Sequence, residues 1–277
     1  MPTSRTAAIS AFAVLAALSA CGRGGPDNSD VSTLTAAQIY REAQVELNGG
    51  DEADAARLFG EVERLYPYSE FAKRALIMQA FALHKGDAYE EARAAAQRYI
   101  DCYPADEDAA YAQYLLALSY YDQIDDIGRD QGLTMEALQA LRQVIERYPD
   151  SPYARSAVMK FDLAFDHLAG KEMEVGRYYL KRRHWTAAIN RFRVVVEDFQ
   201  TTTHTPEALL RLTEAYLALG LGDEAQTAAA ILGHNYQSTG FYQDAFALLS
   251  GQGLSPEARG DSWLSAIYRQ AIRGEWL

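Results

Sequence analysis

Cationic residues are scarce in this chain: 26 lysines and arginines stand against 38 aspartates and glutamates, a formal net charge of -12 over 277 residues. A surface of that sign repels phosphate backbones, so no nucleic acid is expected as a partner. Cysteine is nearly absent, with Cys21 and Cys102 the only two. They allow at most one disulfide, which competes with the modification of Cys21 argued below; Cys102, beside Tyr103 and Pro104, then reads as a small half-buried apolar residue. The five histidines, His84, His167, His184, His204 and His234, keep no metal-ligand spacing with one another or with Cys102. β-branched alternation of the strand kind is missing. Catalytic constellations are missing as well. Gly22-Arg23-Gly24-Gly25 follows no strand, so it is no phosphate loop, and the acidic pairs Glu90-Glu91 and Asp125-Asp126 read as solvated faces. No metal, no cofactor and no enzymatic activity are expected.

The one marked apolar run, Ala7–Leu18, is well short of the ~20 residues that cross a bilayer as a helix. Arg5 precedes it, which gives residues 1–20 the layout of a secretory signal peptide. The run ends in Leu18-Ser19-Ala20-Cys21, which resembles the bacterial lipobox. That resemblance implies cleavage before Cys21, a thioether-linked diacylglycerol on its sulfur and an N-acyl chain on the new terminus. Each buried CH₂ contributes about 0.8 kcal/mol, and two or more chains give stable attachment. Gly22 stands where an aspartate would retain such a protein at the inner membrane, so the lipid-anchored chain is expected on the periplasmic face of the outer membrane. Residues 21–34, rich in glycine, serine and charge, read as a lipidated flexible tether.

From Thr35 onward apolar residues recur at helical spacing. An aromatic residue, usually followed by proline, recurs at Tyr66-Pro67, Tyr103-Pro104 and Tyr148-Pro149, and in degenerate form at Phe199-Gln200 and Tyr236-Gln237. Twelve positions before each second residue stands an alanine: Ala55, Ala92, Ala137, Ala188 and Ala225. Core residues stand eight before (Phe59, Ala96, Leu141, Phe192, Ala229) and five before (Val62, Tyr99, Val144, Val195, Leu232). This is the second-helix pattern of the tetratricopeptide repeat, and Ala43, Ala80, Ala117 and Gly176 supply the small first-helix slot where two helices cross closely. One helix pair cannot bury its apolar face alone, so neighbours stack into a superhelix. The expected fold is therefore all-α, an α-solenoid of about five helix pairs over residues 35–250.

Two irregularities stand out. Residues 122–133 form a polar insertion inside the third repeat, expected as an exposed loop. Between Pro152 and Arg183 one helix of about 30 residues is predicted, with a break near Gly170 as the alternative, since each exposed glycine costs about 1 kcal/mol relative to alanine. Residues 251–277 read as a helical extension that starts at Ser255 with Pro256 in its first turn and caps the array; a docking peptide is the alternative.

The lipobox, the five repeats, the runs Tyr66-Pro67-Tyr68-Ser69-Glu70-Phe71-Ala72 and Tyr148-Pro149-Asp150-Ser151-Pro152-Tyr153-Ala154, and the segments 169–180 and 187–192 resemble the BamD (ComL) family of outer-membrane β-barrel assembly lipoproteins. The resemblance implies a periplasmic scaffold of the BAM complex. Its expected partners are the periplasmic domains of the barrel-forming subunit, unfolded outer-membrane proteins with their targeting signals, accessory BAM lipoproteins, and the membrane through the lipid anchor. The alternative is another outer-membrane tetratricopeptide lipoprotein, a pilus-secretin pilot or a division scaffold. Inward-facing positions of the first three repeats include Tyr40, Phe81, Tyr111, Tyr114 and Tyr121, an aromatic set suited to an extended client segment; packing between repeats is the competing role for each. Lys181, Arg182, Arg183, Arg191 and Arg193 form the one basic concentration, and Arg182, Arg183, Arg191 and Arg193 are the expected partner interface.

Overall fold

The computed structural model describes residues 31–127, 129–272 and 274. The signal peptide, Cys21 and residues 22–30 of the tether lie outside these. After a short 3-10 turn at Val31–Thr33, helices follow one another: α1 Ala36–Gly49, α2 Glu52–Leu65, α3 Glu70–Lys85, α4 Tyr89–Cys102, α5 Ala109–Tyr121 and α6 Gly132–Arg147. The series continues with α7 Ala154–Lys181, α8 Trp185–Asp198, α9 Thr205–Ala218, α10 Gly222–Tyr236, α11 Gly240–Ser250 and α12 Trp263–Ile272. No strand occurs among the described residues. Through α10 each helix packs on its neighbours in sequence, and α1, α3, α5 and α7 also meet in turn, which makes the expected solenoid.

Local signals explain where the helices begin. Thr35 and Gln38 form a capping box, with the Thr35 N–H donating to Gln38 Oε1 at 2.9 Å. Asp51 and Ser69 cap α2 and α3 by accepting from the Asp54 and Ala72 amides, contacts of a kind worth about 1 kcal/mol each. The aromatic slots end the second helices. Tyr66, Tyr103, Tyr148 and Phe199 are C-caps at φ between -133 and -126, the extended φ favoured by a residue before proline. Gln200 keeps that geometry without a proline. Gln237 does not: its φ is -54, and α10 runs on through Tyr236.

The alanine and core slots of the second helices and the small slots of the first helices are all buried, whereas the aromatic slots are half-buried. The core is accordingly distributed, with separate clusters in the first, second and third repeats and a larger one shared by α7 to α12. Fully burying a side chain such as Phe59 or Phe192 contributes about 1.5–3 kcal/mol.

α7 is a single helix of 28 residues with no break at Gly170. Its glycines are sites of close approach. A Cβ on Gly176 would lie 2.8 Å from Phe192 Cδ1, and one on Gly170 would lie 3.1 Å from both His204 Nε2 and Ile127 Cδ1. Ile127 belongs to the insertion, so part of that loop is seated on α7. α7 is tied to α9 by Arg177, which donates to Glu207 through Nε at 2.9 Å and Nη2 at 2.5 Å. That pair holds the Glu207 carboxyl below its usual range.

Three expectations are corrected. Cys102 is exposed at the end of α4, because the slot lies past the last buried turn. Ser255 and Pro256 do not start a helix: α12 begins at Trp263. The intervening backbone is instead held on α10, where Gln226 donates to the Ser255 carbonyl at 2.8 Å and Thr227 accepts from the Arg259 amide at 3.0 Å. α11 is a first helix without a second, packed on α9 and α10 in a stretch read as the end of the fifth repeat. Leu264, Ile267 and Ala271 of α12 then close the last core cluster against α10.

Candidate functional site

The candidate groove residues separate into two groups. Tyr40 is only 8% exposed and packs between Phe59 and Phe71, with ring centroids 5.3 and 5.6 Å apart, so it belongs to the first repeat's core. Phe81 is half-buried between the cores of the first and second repeats. The other three gather on the side of α5 that meets α7. Tyr111 and Tyr114 both lie against Tyr153, at centroid distances of 5.1 and 5.4 Å. Tyr114 Oη is 2.6 Å from Ser156 Oγ, and Lys160 Nζ sits 4.5 Å from the centroid of Tyr121. Burial, reinforced by Tyr153, pushes the Tyr111 phenol up to about 12, so that ring stays a neutral phenol at physiological pH. Such a platform offers stacking and apolar contact.

Tyr153, Ser156 and Lys160 were not singled out in the sequence. The signal was present in the run ending Tyr153-Ala154, but the small first-helix slot was placed at Gly176, in the second half of the same helix. A helix of 28 residues serves both positions: its first half flanks α5 and its second half packs on α8.

The arginines at the α7–α8 turn are spread over two faces. Arg182 lies over Tyr178 at 4.1 Å from the centroid. Arg183 occupies the turn itself at φ 60, the left-handed conformation that Gly50, Asp87 and Gly220 adopt in the equivalent turns. Arg191 Nη1 pairs with Glu172 Oε2 at 3.1 Å. Arg193 pairs with Glu197 at 2.9 Å and lies 4.9 Å from the Trp263 ring centroid, so part of its surface serves the C-terminal helix. Among the described residues no group of three histidine, cysteine, aspartate or glutamate side chains is placed to hold a metal ion. No helix among them is long and apolar enough to cross a membrane.

Stacked helix pairs with small residues at their crossings define a tetratricopeptide-type α-solenoid. The sequence profile of the YfiO family, described as outer membrane lipoprotein, matches residues 32–231, and the chain belongs to that family. It is 46% identical over 258 residues to the outer membrane protein assembly factor BamD of Caulobacter vibrioides, covering 90% of this chain and 83% of that protein. It is 39% identical to the factor of the same name from Rickettsia prowazekii, over 88% of this chain and 97% of that one. Against the Neisseria meningitidis serogroup A protein, again named as that factor, identity is 31% over 83% and 91% of the two chains.

Proposed function

We propose that this chain is the outer-membrane-anchored scaffold of a β-barrel assembly complex and acts by binding. Its membership in the outer membrane lipoprotein family, and its identity along most of its length to proteins named as outer membrane protein assembly factors, support that reading. The observation that carries the mode of action is the packing of Tyr111 and Tyr114 on Tyr153, an aromatic surface between adjacent first helices. Unfolded outer-membrane proteins are the clients of this face, which takes extended segments with aromatic side chains.

The second surface is the basic one. Arg182, Arg183 and Arg191 meet acidic loops in the periplasmic domains of the barrel-forming subunit, with Arg193 at its edge, and accessory lipoproteins join the same assembly. Attachment comes from diacylglycerol and an N-acyl chain on Cys21, which lies outside the described residues. None of these roles needs bond-breaking by the protein.

Affinity capture from detergent-solubilised membranes, with the bound chains identified, tests the reading. The barrel-forming subunit and accessory lipoproteins are expected in the eluate, and a Cys21→Ala chain is expected to lose its membrane attachment. Recovery of pilus or division proteins in their place would overturn it.

A further inference from the structure

Tyr68 is 101% exposed, so nothing in the described chain packs on its ring. It follows Tyr66-Pro67 in the turn between α2 and α3. The same slot of the later repeats holds Ala105, Asp150, Thr201 and Ser238, all exposed and all small or polar. Those turns close without an aromatic ring, so the repeat itself does not call for one at Tyr68. This first turn is also where the chain enters the solenoid. Tyr66 Oη donates to the Leu34 carbonyl at 2.6 Å, and Val31 and Leu34 pack on the first core cluster. Val31 stands ten residues beyond Cys21, and ten residues of chain span at most about 35 Å. A lipid on Cys21 therefore keeps the first repeat close to the bilayer, with Tyr68 on the turn beside the entry point.

We infer that Tyr68 is a second membrane contact, seated among the phospholipid headgroups of the surface that holds the anchor. The inference rests on the lipidation of Cys21 proposed above and adds to it a contact made by the folded domain. A tyrosine ring combines an apolar body with a polar tip, which is what concentrates it at a membrane–water interface. One such ring binds a bilayer weakly by itself. Beside a covalent anchor the encounter is intramolecular, and the effective concentration set by a short tether populates it. Charge is not the attraction. The chain carries a net charge of -12, and Glu70, Glu107 and Asp150 lie exposed at this and the following turns of the same edge. An anionic surface repels them, so contact is confined to the first turn and the later repeats stay clear of the lipid.

The test uses the mature lipidated full chain, purified from membranes and reconstituted into phosphatidylcholine vesicles. Tyr68→Trp and Asp150→Trp each add one tryptophan, at the first turn and at its counterpart in the third repeat. Lipid brominated high in its acyl chains quenches only a ring that enters the bilayer interface. The tryptophan at 68 is expected to lose at least about half of its added emission, in low and high salt alike, and the one at 150 to keep it. A dye on Cys102, the exposed thiol at the end of α4, reads the native tyrosine. Its energy transfer to a headgroup-labelled lipid is expected to fall about twofold in Tyr68→Ala and to persist in Tyr68→Trp. Quenching at 68 no greater than at 150, or unchanged transfer in Tyr68→Ala, while the chain still floats with the vesicles, overturns the contact and leaves the anchor standing. If the unaltered chain does not float with the vesicles, the anchor reading falls and the contact with it.

Discussion

Arg191 Nη1 lies 3.1 Å from Glu172 Oε2, so the arginine expected to meet a partner is already held by α7 from the preceding helix. Exposed pairs of this kind contribute about 0–1 kcal/mol to folding, so the pair serves orientation more than stability. Arg191→Glu is therefore expected to leave the thermal midpoint within a few degrees of the unaltered chain while lowering recovery of the barrel-forming subunit in affinity capture. Undiminished recovery counts against the interface.

Arg183 holds a left-handed turn that glycine fills in two of the equivalent turns. The conformation costs an ordinary L residue roughly 1–2 kcal/mol, partly offset by the larger unfolded-state entropy of glycine. Arg183→Gly is expected to stabilise the protein by about 0.5–1 kcal/mol in urea unfolding. If Arg183 also meets the partner, the same variant loses capture while gaining stability, a split that a purely structural residue does not show.

The Gly176 backbone lies against the Phe192 ring with no space for a methyl group, whereas Gly170 faces the tip of an imidazole and one isoleucine methyl. Gly176→Ala is expected to lose about 1–3 kcal/mol by overpacking, and Gly170→Ala less. Phe192→Leu placed on Gly176→Ala should recover part of the loss. Equal losses at the two glycines would show that α7 and α8 are not in the register described.

Asp106 joins the second repeat to the third: it accepts from Lys73 Nζ at 2.5 Å and from Tyr99 Oη at 2.7 Å. The Lys73 contact, then the Tyr99 contact, hold its carboxyl down at about 2. An unfolded aspartate titrates near ~4, so this contribution is complete above that pH and disappears as pH falls toward 2. Acid unfolding followed by circular dichroism should show stability falling across that window. Asp106→Asn should flatten that part of the profile, and an unchanged profile would remove the carboxylate from the account.

The solenoid was legible in the sequence because its crossings demand small residues at fixed intervals. Ala55, Ala92, Ala137, Ala188 and Ala225 are all buried where helices meet, and Gly176 is the first-helix counterpart beside Phe192. The site was less legible. Tyr40 has the spacing of an inward residue, but Phe59 with Phe71 draws its ring into the core. Tyr153 and Lys160 were hidden because α7 is twice the usual length and serves two repeats, which a search at a single register reads once. Ser255-Pro256 carries a helix-start signal, but the buried Gln226 and Thr227 side chains offer its backbone other partners, and long-range pairing overrides the local preference.

The account centres on contact-driven assembly of outer-membrane barrels, and controlled depletion of the protein, with quantitative proteomics of isolated outer membranes, tests it most directly. The expected result is that many unrelated β-barrel proteins decline together while lipoproteins of the same membrane persist. Normal barrel levels accompanied by loss of a single appendage, or by failed division, would contradict it.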